Sequence, residues 1–197
     1  MKRSWGSILG VAAFVIALPV QAAVLNFFVN LNAANEGNPA DTSTGTGNAS
    51  LILDTIAQTL TGNIVFSGLT SPTTAAHIHC CLPSPFVPNT NVGVATVVPA
   101  FPGFPLGFTS GADHFVLQLN DASAYNPAFV TAQGSLANAE ASFISGLETG
   151  RTYLNIHTML NPGGEIRGFV VPEPMTASLI LAGFAAAGLA SRRRKRS

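Results

Sequence analysis

Residues 153–168 read YLNIHTMLNPGGEIRG, a segment with the pattern of two strands joined by a turn. Tyr153, Asn155 and His157 alternate with apolar or small residues, a period of two that predicts a half-buried strand with these three side chains on one face. The Asn-Pro-Gly-Gly at residues 161–164 is typical of a turn, because proline presets φ and glycine accepts positive φ. A second strand over residues 165–171 is therefore predicted to complete an antiparallel β-hairpin.

The rest of the chain between its two ends shows a similar alternation of apolar and polar residues. Alternating segments predict further strands at residues 24–31, 49–54, 59–67, 74–80, 92–98 and 114–120. Residues 125–147 are instead alanine-rich with apolar residues at helical spacing, and Asn126-Pro127 is typical of a helix start. Many short strands, with turns between them and one short helical insertion, predict a mainly β fold: an antiparallel β-sandwich or Greek-key-like barrel.

Charge is scarce and concentrated at the two ends. Charged residues make up 9% of the chain, against roughly 25% in a typical soluble domain. Between the ends, only Arg151 and Arg167 are basic, against eight acidic residues, so this body carries a formal net charge of about −6 (two positive, eight negative). A body without a basic patch does not fit a nucleic-acid-binding protein, and we exclude that class.

Residues 1–22 have the layout of a secretory signal peptide. Lys2 and Arg3 give a basic start, residues 8–18 form an apolar run, and small residues stand at Ala22 and Ala23. This order predicts export, with cleavage after Ala22 or Ala23 and a mature body beginning near residue 23.

The C-terminal end predicts a short membrane helix. Residues 175–190 are uncharged and rich in Ala, Leu and Gly, and a basic tail follows them. Sixteen helical residues span about 24 Å at ~1.5 Å per residue, which is short of a ~30 Å hydrocarbon core. The basic tail places the C-terminus in the cytoplasm and the body on the opposite side of the membrane.

Residues 172–197 also resemble a known sorting signal. Val171-Pro172-Glu173-Pro174, then the apolar segment, then Arg192, Arg193 and Arg194 are similar to the PEP-CTERM signal of Gram-negative bacteria. The resemblance implies processing by a membrane-embedded exosortase, after transient anchoring in the inner membrane, and delivery to the periplasm, outer surface or extracellular matrix. A simple C-terminal membrane anchor is the alternative.

A second resemblance covers residues 23–171. Its most specific parts are Ala76-His77-Ile78-His79 and the motif at residues 153–168, preceded by Phe66-Ser67-Gly68-Leu69. Partial matches stand earlier at Leu31, Glu36, Pro39, Gly47, Ala49, Leu51 and Leu53. This pattern resembles the CHRD domain, named for repeats in chordin and found in bacterial exported proteins. Cys80-Cys81 and a proline-rich loop follow His79, where the family often has Gly-rich residues. The resemblance implies a fold more than an activity.

Three histidines form a candidate metal site. His77 and His79 are two apart on a predicted strand, so their side chains share a face, about 6.6–6.8 Å apart along the backbone. His157 supplies a third ligand if its strand is a neighbour, and a set of neutral imidazoles suits Cu or Zn. The alternative is that the histidines are structural, bonded to buried carbonyls. Tyr153 and Asn155 share the face of His157 and serve as network partners in either case.

Four other residues are weaker candidates for components of this site. Cys81 is predicted to share the His77/His79 face and is a weaker candidate ligand; free or vicinally paired Cys80 and Cys81 are the alternative. Glu165 and Arg167, two apart, predict a surface ion pair worth under ~1 kcal/mol. The chain has no G-x-S-x-G, P-loop or paired-carboxylate motif, so hydrolase and kinase activities have no support.

Two functions from different classes follow. We favour a non-enzymatic binding or structural module of the cell surface or exopolysaccharide matrix, with the apolar, proline-rich loop at residues 82–108 as its contact surface. The alternative is a periplasmic or extracellular Cu- or Zn-binding protein, conceivably redox-active, built on His77, His79 and His157. Convergence of those three side chains within about 4–5 Å distinguishes the alternative.

Overall fold

The computed structural model describes residues 24–37, 42–84 and 90–173. The predicted signal peptide, the predicted membrane helix, Pro174 and the basic tail with Arg192, Arg193 and Arg194 lie outside the described residues, as does Pro39. Among the described residues, no helix has the length and apolar character needed to cross a bilayer.

Eight strands and three short helices make up the described chain. The strands are β1 (Val24–Asn32), β2 (Thr46–Asp54), β3 (Thr59–Ser67), β4 (Thr73–Cys80), β5 (Gly111–Gln118), β6 (Thr152–Thr158), β7 (Ile166–Phe169) and β8 (Val171–Pro172). The helices are α1 (Ala33–Glu36), α2 (Pro127–Gln133) and α3 (Leu136–Glu148), with a 3₁₀ turn at Ala122–Ala124. The predicted mainly β, antiparallel class with a short helical insertion is confirmed.

The strands form one antiparallel sheet that curls into a half-barrel. Their order is β4-β6-β7-β1-β2-β3-β5, and β8 adds to β1. The β6–β7 hairpin therefore lies between β4 on one side and the first strand of the chain on the other. This arrangement makes β4, which carries His77 and His79, the direct neighbour of β6, which carries His157.

One face of the sheet forms the core. Phe27, Val29 and Leu31 of β1 are fully buried, while the residues between them point outward, as expected for an antiparallel strand with one solvated face. On β6, by contrast, all seven residues are buried. The prediction of a half-buried strand was wrong for β6, because its outer face is covered by other parts of the chain.

Residues 90–110 provide part of that cover, since the Val92 amide donates to the Tyr153 hydroxyl of β6 at 3.2 Å, and they also reach both edge strands. The Phe101 amide donates to the Ala76 carbonyl of β4 at 3.1 Å, and the Phe101 ring stacks on Phe115 of β5 with centroids 4.0 Å apart. The strand predicted at residues 92–98 is absent and is replaced by isolated bridges. One reason is that the Thr96 hydroxyl, not its backbone, accepts the Ile78 amide at 2.9 Å.

The helical insertion forms where the sequence predicted it. Asn126 caps α2 by accepting the Ala128 amide at 3.0 Å, and Pro127 occupies the first turn. Gly134 ends α2 with a positive φ of 82°, which glycine adopts without steric cost. Helix α3 then buries Phe143 and Leu147 completely in the core.

Candidate metal centre

Strand register brings the candidate residues to one face. In the β4–β6 pair, His77 lies opposite Asn155, His79 opposite Tyr153, and Ala75 opposite His157. Residues directly opposite one another in an antiparallel pair point to the same side. All three histidines therefore lie, with Tyr153 and Asn155, on the face of the sheet away from the core.

The three histidine side chains converge. The Nε2 atoms of His77 and His157 are 3.0 Å apart, and one ligand atom from each of the three histidines lies within 4.8 Å of the others. The three residues are only 6%, 9% and 9% exposed for His77, His79 and His157. The sequence-based criterion, convergence within about 4–5 Å, is met.

Each ring is fixed by a backbone carbonyl. The Nδ1 atoms of His77, His79 and His157 lie 3.1, 2.7 and 2.9 Å from the carbonyl oxygens of Pro99, Val92 and Pro162. Because a carbonyl oxygen only accepts, each Nδ1 carries a hydrogen, and in the neutral ring each Nε2 carries a lone pair. This is the orientation that carbonyl partners impose on metal-ligating histidines.

The environment keeps the rings neutral. Burial, reinforced by the neighbouring His157, lowers the pKa of His77 to about 4. Burial lowers the pKa of His79 to about 3, despite the opposing hydrogen bond to Val92. Burial also lowers the pKa of His157, and the positive charge of Arg167 acts in the same direction. At neutral pH all three imidazoles are therefore in the form that binds metal.

Two neutral rings then face each other without a proton between their Nε2 atoms. At 3.0 Å the two lone pairs of His77 and His157 repel unless a cation lies near both. Two nitrogens on one tetrahedral metal with bonds of 2.0–2.1 Å are about 3.3 Å apart. The observed separation is close to that value. His79 adds a third Nε2 that is buried and has no hydrogen-bond partner among the described residues.

A buried aromatic and cationic layer lies beside the histidines. The Tyr153 ring stacks on His79 with centroids 4.5 Å apart, and the Arg167 guanidinium lies 4.0 Å from the Tyr153 centroid. Arg167 is 1% exposed and makes a two-pronged contact to Glu36, at 2.7 and 3.2 Å. Its Nη2 also donates to the Asn91 amide oxygen at 2.6 Å.

The predicted surface pair of Glu165 with Arg167 was wrong. Strand β7 begins at Ile166, so Glu165 belongs to the preceding turn and strand alternation does not apply to it. Glu165 is fully buried and accepts hydrogen bonds from the hydroxyls of Ser43, Thr70 and Thr158 and from the Thr70 amide, at 2.5 to 2.9 Å. Burial opposes ionisation of this carboxyl, but those hydrogen bonds hold the pKa of Glu165 below its usual value.

Asn155 occupies the middle of the polar face. It pairs with His77 on one side and Arg167 on the other and is 1% exposed. Neither of its side-chain amide atoms has a hydrogen-bond partner within the described chain. The hairpin turn packs closely against the Asn155 side chain. A Cβ atom added to Gly164 would lie only 2.5 Å from the Asn155 Nδ2.

Cys81 does not join the histidines. Cys80 and Cys81 form a vicinal disulfide, and both sulfurs lie beside the Ser142 carbonyl of α3. The expectation that Cys81 shares the His77/His79 face was wrong because β4 ends at Cys80, so alternation stops before Cys81. A sulfur bonded to its neighbour is also not the thiolate that a soft metal requires.

The proline-rich loop is largely a packed cover. In its described part, Phe101 and Phe104 are 2% and 6% exposed, whereas Leu106 and Phe108 remain exposed. The loop also supplies two of the carbonyls that orient the histidines, at Val92 and Pro99. Sequence patterns gave no indication of those carbonyls, because any residue type carries one, nor of Glu36 as the partner of Arg167.

The start of the sorting signal belongs to the sheet. Val171 and Pro172 form β8, paired with Phe28 and Phe27 of β1, and the Glu173 amide donates to the Asn26 carbonyl at 2.9 Å. The domain therefore continues into the signal without a connecting loop.

Comparison with known proteins identifies two segments. A family model for the CHRD domain matches residues 27–170, and a model for the PEP-CTERM protein-sorting motif matches residues 170–195. No curated protein and no solved structure matches the chain. The PEP-CTERM motif marks a protein that is exported to the cell envelope or surface and processed by an exosortase-type enzyme. Since the first match covers more than half of its length, the chain belongs to the CHRD domain family.

Proposed function

We propose that this protein is an exported metal-binding protein that holds one copper or zinc ion through the Nε2 atoms of His77, His79 and His157. The observation that carries the proposal is the 3.0 Å approach of the His77 and His157 Nε2 atoms, each on a ring whose Nδ1–H is engaged by a carbonyl. A purely structural histidine pair would place a hydrogen between the two nitrogens.

The surroundings support a site built for an ion. Asn155 and Tyr153 flank the histidines on the same face, and the Tyr153 ring stacks on His79. Three fixed side chains with neutral imidazoles need little rearrangement to bind, which reduces the cost of assembling the site. Among divalent first-row ions Cu(II) binds such nitrogen sites most strongly, and imidazole ligands also suit Zn(II).

The order of segments along the chain supports a location for this site outside the cytoplasm. Residues 1–22 act as a signal peptide, residues 23–171 form the exported domain, and residues 172–197 are the tail that exosortase processes. The tail anchors the chain transiently in the inner membrane, so the metal domain lies in the periplasm or at the outer surface. Cu and Zn are then bound outside the cytoplasm.

The test is metal content. The full chain, purified in detergent after export in a Gram-negative host, is exposed to Cu or Zn, freed of excess metal and measured by elemental mass spectrometry. We expect close to one ion per chain in the parent and almost none in the His77→Ala/His157→Ala variant. A matched control is His114→Ala, which removes the one histidine outside the cluster and should keep the ion. Circular dichroism verifies that each variant is folded.

A parent chain that holds neither metal after this treatment would overturn the proposal. Retention of the ion by the double variant would do the same, because the ion would then be held elsewhere.

A second candidate function, a binding module for the envelope matrix, uses another surface. Phe28 is 49% exposed on β1 and lies between two grooves. One is lined by Asn35, Phe169 and Val171 and the other by Thr46, Asn48 and Ser67, among others. An exposed aromatic ring flanked by amides and hydroxyls suits a neutral polysaccharide.

Affinity electrophoresis in gels containing a neutral glucan tests this second function. We expect Phe28→Ser to lose retardation and Val116→Ser, exposed on β5 outside both grooves, to keep it. Equal mobility of the parent with and without the glucan would contradict it.

A further inference from the structure

We infer that the three-histidine site takes monovalent copper, Cu(I), in preference to a divalent ion such as Zn(II). This inference rests on the proposed function, since it names the ion that the same site selects. It is drawn from the number of ligands, the burial of the donor atoms and the charges around them.

The ligand set is short for a divalent ion. Within residues 24–37, 42–84 and 90–173, the cluster contains His77, His79 and His157 and no carboxylate or thiolate. Zn(II) in proteins is almost always four-coordinate, so with three histidines it needs a water as its fourth ligand. Cu(I) has a filled d shell, as Zn(II) has, and three nitrogens satisfy it in a trigonal arrangement.

Within the described residues, Glu36 and Glu165 lie near this face, and both carboxylates already have other partners. The Glu36 carboxylate is held by both arms of the Arg167 guanidinium. The Glu165 carboxylate is held by Ser43, Thr70 and Thr158. Neither is positioned as a fourth ligand, so the ion keeps its full charge inside the site.

Burial makes that charge costly. The Nε2 of His79 is shielded from solvent, and the His77–His157 contact is buried. The desolvation free energy of an ion rises with the square of its charge. In the same cavity it is therefore about four times larger for a dication than for a monocation. Because the three imidazoles are neutral, no ligand charge offsets this difference.

A fixed cation adds to the discrimination. The Arg167 guanidinium lies over the Tyr153 ring at 4.0 Å, and that ring stacks directly on His79. The positive charge repels an ion in the site in proportion to the charge of the ion. Pairing with Glu36 reduces this repulsion, but Arg167 is the member of the pair that contacts the Tyr153 ring stacked on His79.

The experiment measures both affinities on the same folded protein. The metal-free full chain in detergent is titrated anaerobically with Cu(I) against bathocuproine disulfonate, and separately with Zn(II) against a chromophoric chelator. We expect Cu(I) to bind at least about 100-fold more tightly than Zn(II). X-ray absorption at the copper edge should show a three-coordinate Cu(I) with nitrogen ligands only.

The outcomes separate this inference from the proposal beneath it. Zn(II) binding as tight as Cu(I), or tighter, would overturn the preference while leaving a metal-binding protein. Binding of neither ion would overturn both. The His77→Ala/His157→Ala variant must lose the Cu(I), since Cu(I) retained by it would be held by other groups.

A charge variant tests the physical cause. Asn155→Asp adds a carboxylate of the same shape opposite His77, and should raise the Zn(II) affinity about tenfold while changing the Cu(I) affinity less. The matched control, Asn63→Asp, adds the same charge at an exposed position of β3 and should change neither. An unchanged Cu(I)-to-Zn(II) ratio in a folded Asn155→Asp protein would contradict the charge argument.

Discussion

The His77 and His157 Nε2 atoms lie 3.0 Å apart, although 80 residues of sequence separate the two residues. Both rings are held from behind, His77 by the Pro99 carbonyl and His157 by the Pro162 carbonyl. Neither ring can therefore turn its other nitrogen toward its neighbour without losing its hydrogen bond to a carbonyl. The metal-free protein therefore keeps two lone pairs in contact, a repulsion that a bound metal ion relieves.

Acid should destabilise the metal-free protein well above the range where carboxylates titrate. The pKa values of His77 and His79 fall to about 4 and about 3 in the folded state, whereas unfolded histidine has a pKa near 6.5. Below pH ~6.5 the unfolded chain takes up protons that the folded chain does not, so the free energy of unfolding falls as pH falls. Each ring that stays neutral costs about 1.4 kcal/mol between pH 7.5 and 5.5.

Urea unfolding of chelator-treated protein at those two pH values measures this loss. His77→Gln should show a shallower pH dependence than the parent, because it removes one of the rings whose pKa is lowered. A free energy of unfolding that stays constant from pH 7.5 to 5.5 would show that the rings are protonated equally in both states.

The buried Glu36–Arg167 pair should behave as a coupled unit. Arg167→Met removes the guanidinium from a carboxylate that is itself 8% exposed, and breaking such a pair costs about 3–5 kcal/mol. Glu36→Gln leaves Arg167 with a buried charge and should also be strongly destabilising. The Glu36→Gln/Arg167→Met variant should cost less than the sum of the two single changes by more than ~1 kcal/mol. Chemical denaturation of all four proteins gives the coupling, and simple additivity would mean that the two groups do not depend on each other.

The sequence was sufficient for the parts of this fold that follow local rules. Alternation predicted β1, β3 and β6, and the Asn-Pro cap predicted the start of α2. Sharing of a face by His77 and His79 also followed from alternation alone. Their approach to His157 depends on the pairing of β4 with β6. No local sequence pattern predicts which strands pair.

The misses occur where the chain leaves regular structure. Strand alternation does not apply to Cys81 or Glu165, because β4 ends at Cys80 and β7 begins at Ile166. Glu36 is separated from Arg167 by 131 residues, and no local pattern connects them. The outer face of β6 is buried by loops that bind through backbone carbonyl groups. Every residue type carries such a carbonyl, so the sequence does not reveal these contacts.

Removal of the disulfide should leave the metal site intact. The two cysteine sulfurs lie beside the Ser142 carbonyl and close to Gly146 of α3, and neither belongs to the histidine cluster. The Cys80→Ser/Cys81→Ser variant should therefore hold the same amount of copper as the parent, within about twofold. Its melting temperature should fall, because the smaller serine side chains leave the packed contact with α3 incompletely filled. Copper loss in a variant that remains folded would make Cys81 a ligand after all.

A methyl group at Gly164 should be far more damaging than one at Gly163, although the two glycines are adjacent in one turn. Gly164 has a φ of +127°, and an added Cβ would lie 2.5 Å from the Asn155 Nδ2 and 2.7 Å from the Glu36 carboxyl carbon. At Gly163 an added Cβ meets no atom within 4 Å. We expect Gly164→Ala to lower the free energy of unfolding by about 2–4 kcal/mol and Gly163→Ala by less than ~0.5 kcal/mol.

Gly164→Ala should also weaken copper binding, because it displaces Asn155 from its place between His77 and Arg167. Denaturation and Cu(I) competition on both variants check the two effects, and equal stability of the variants would mean that the turn yields without moving Asn155.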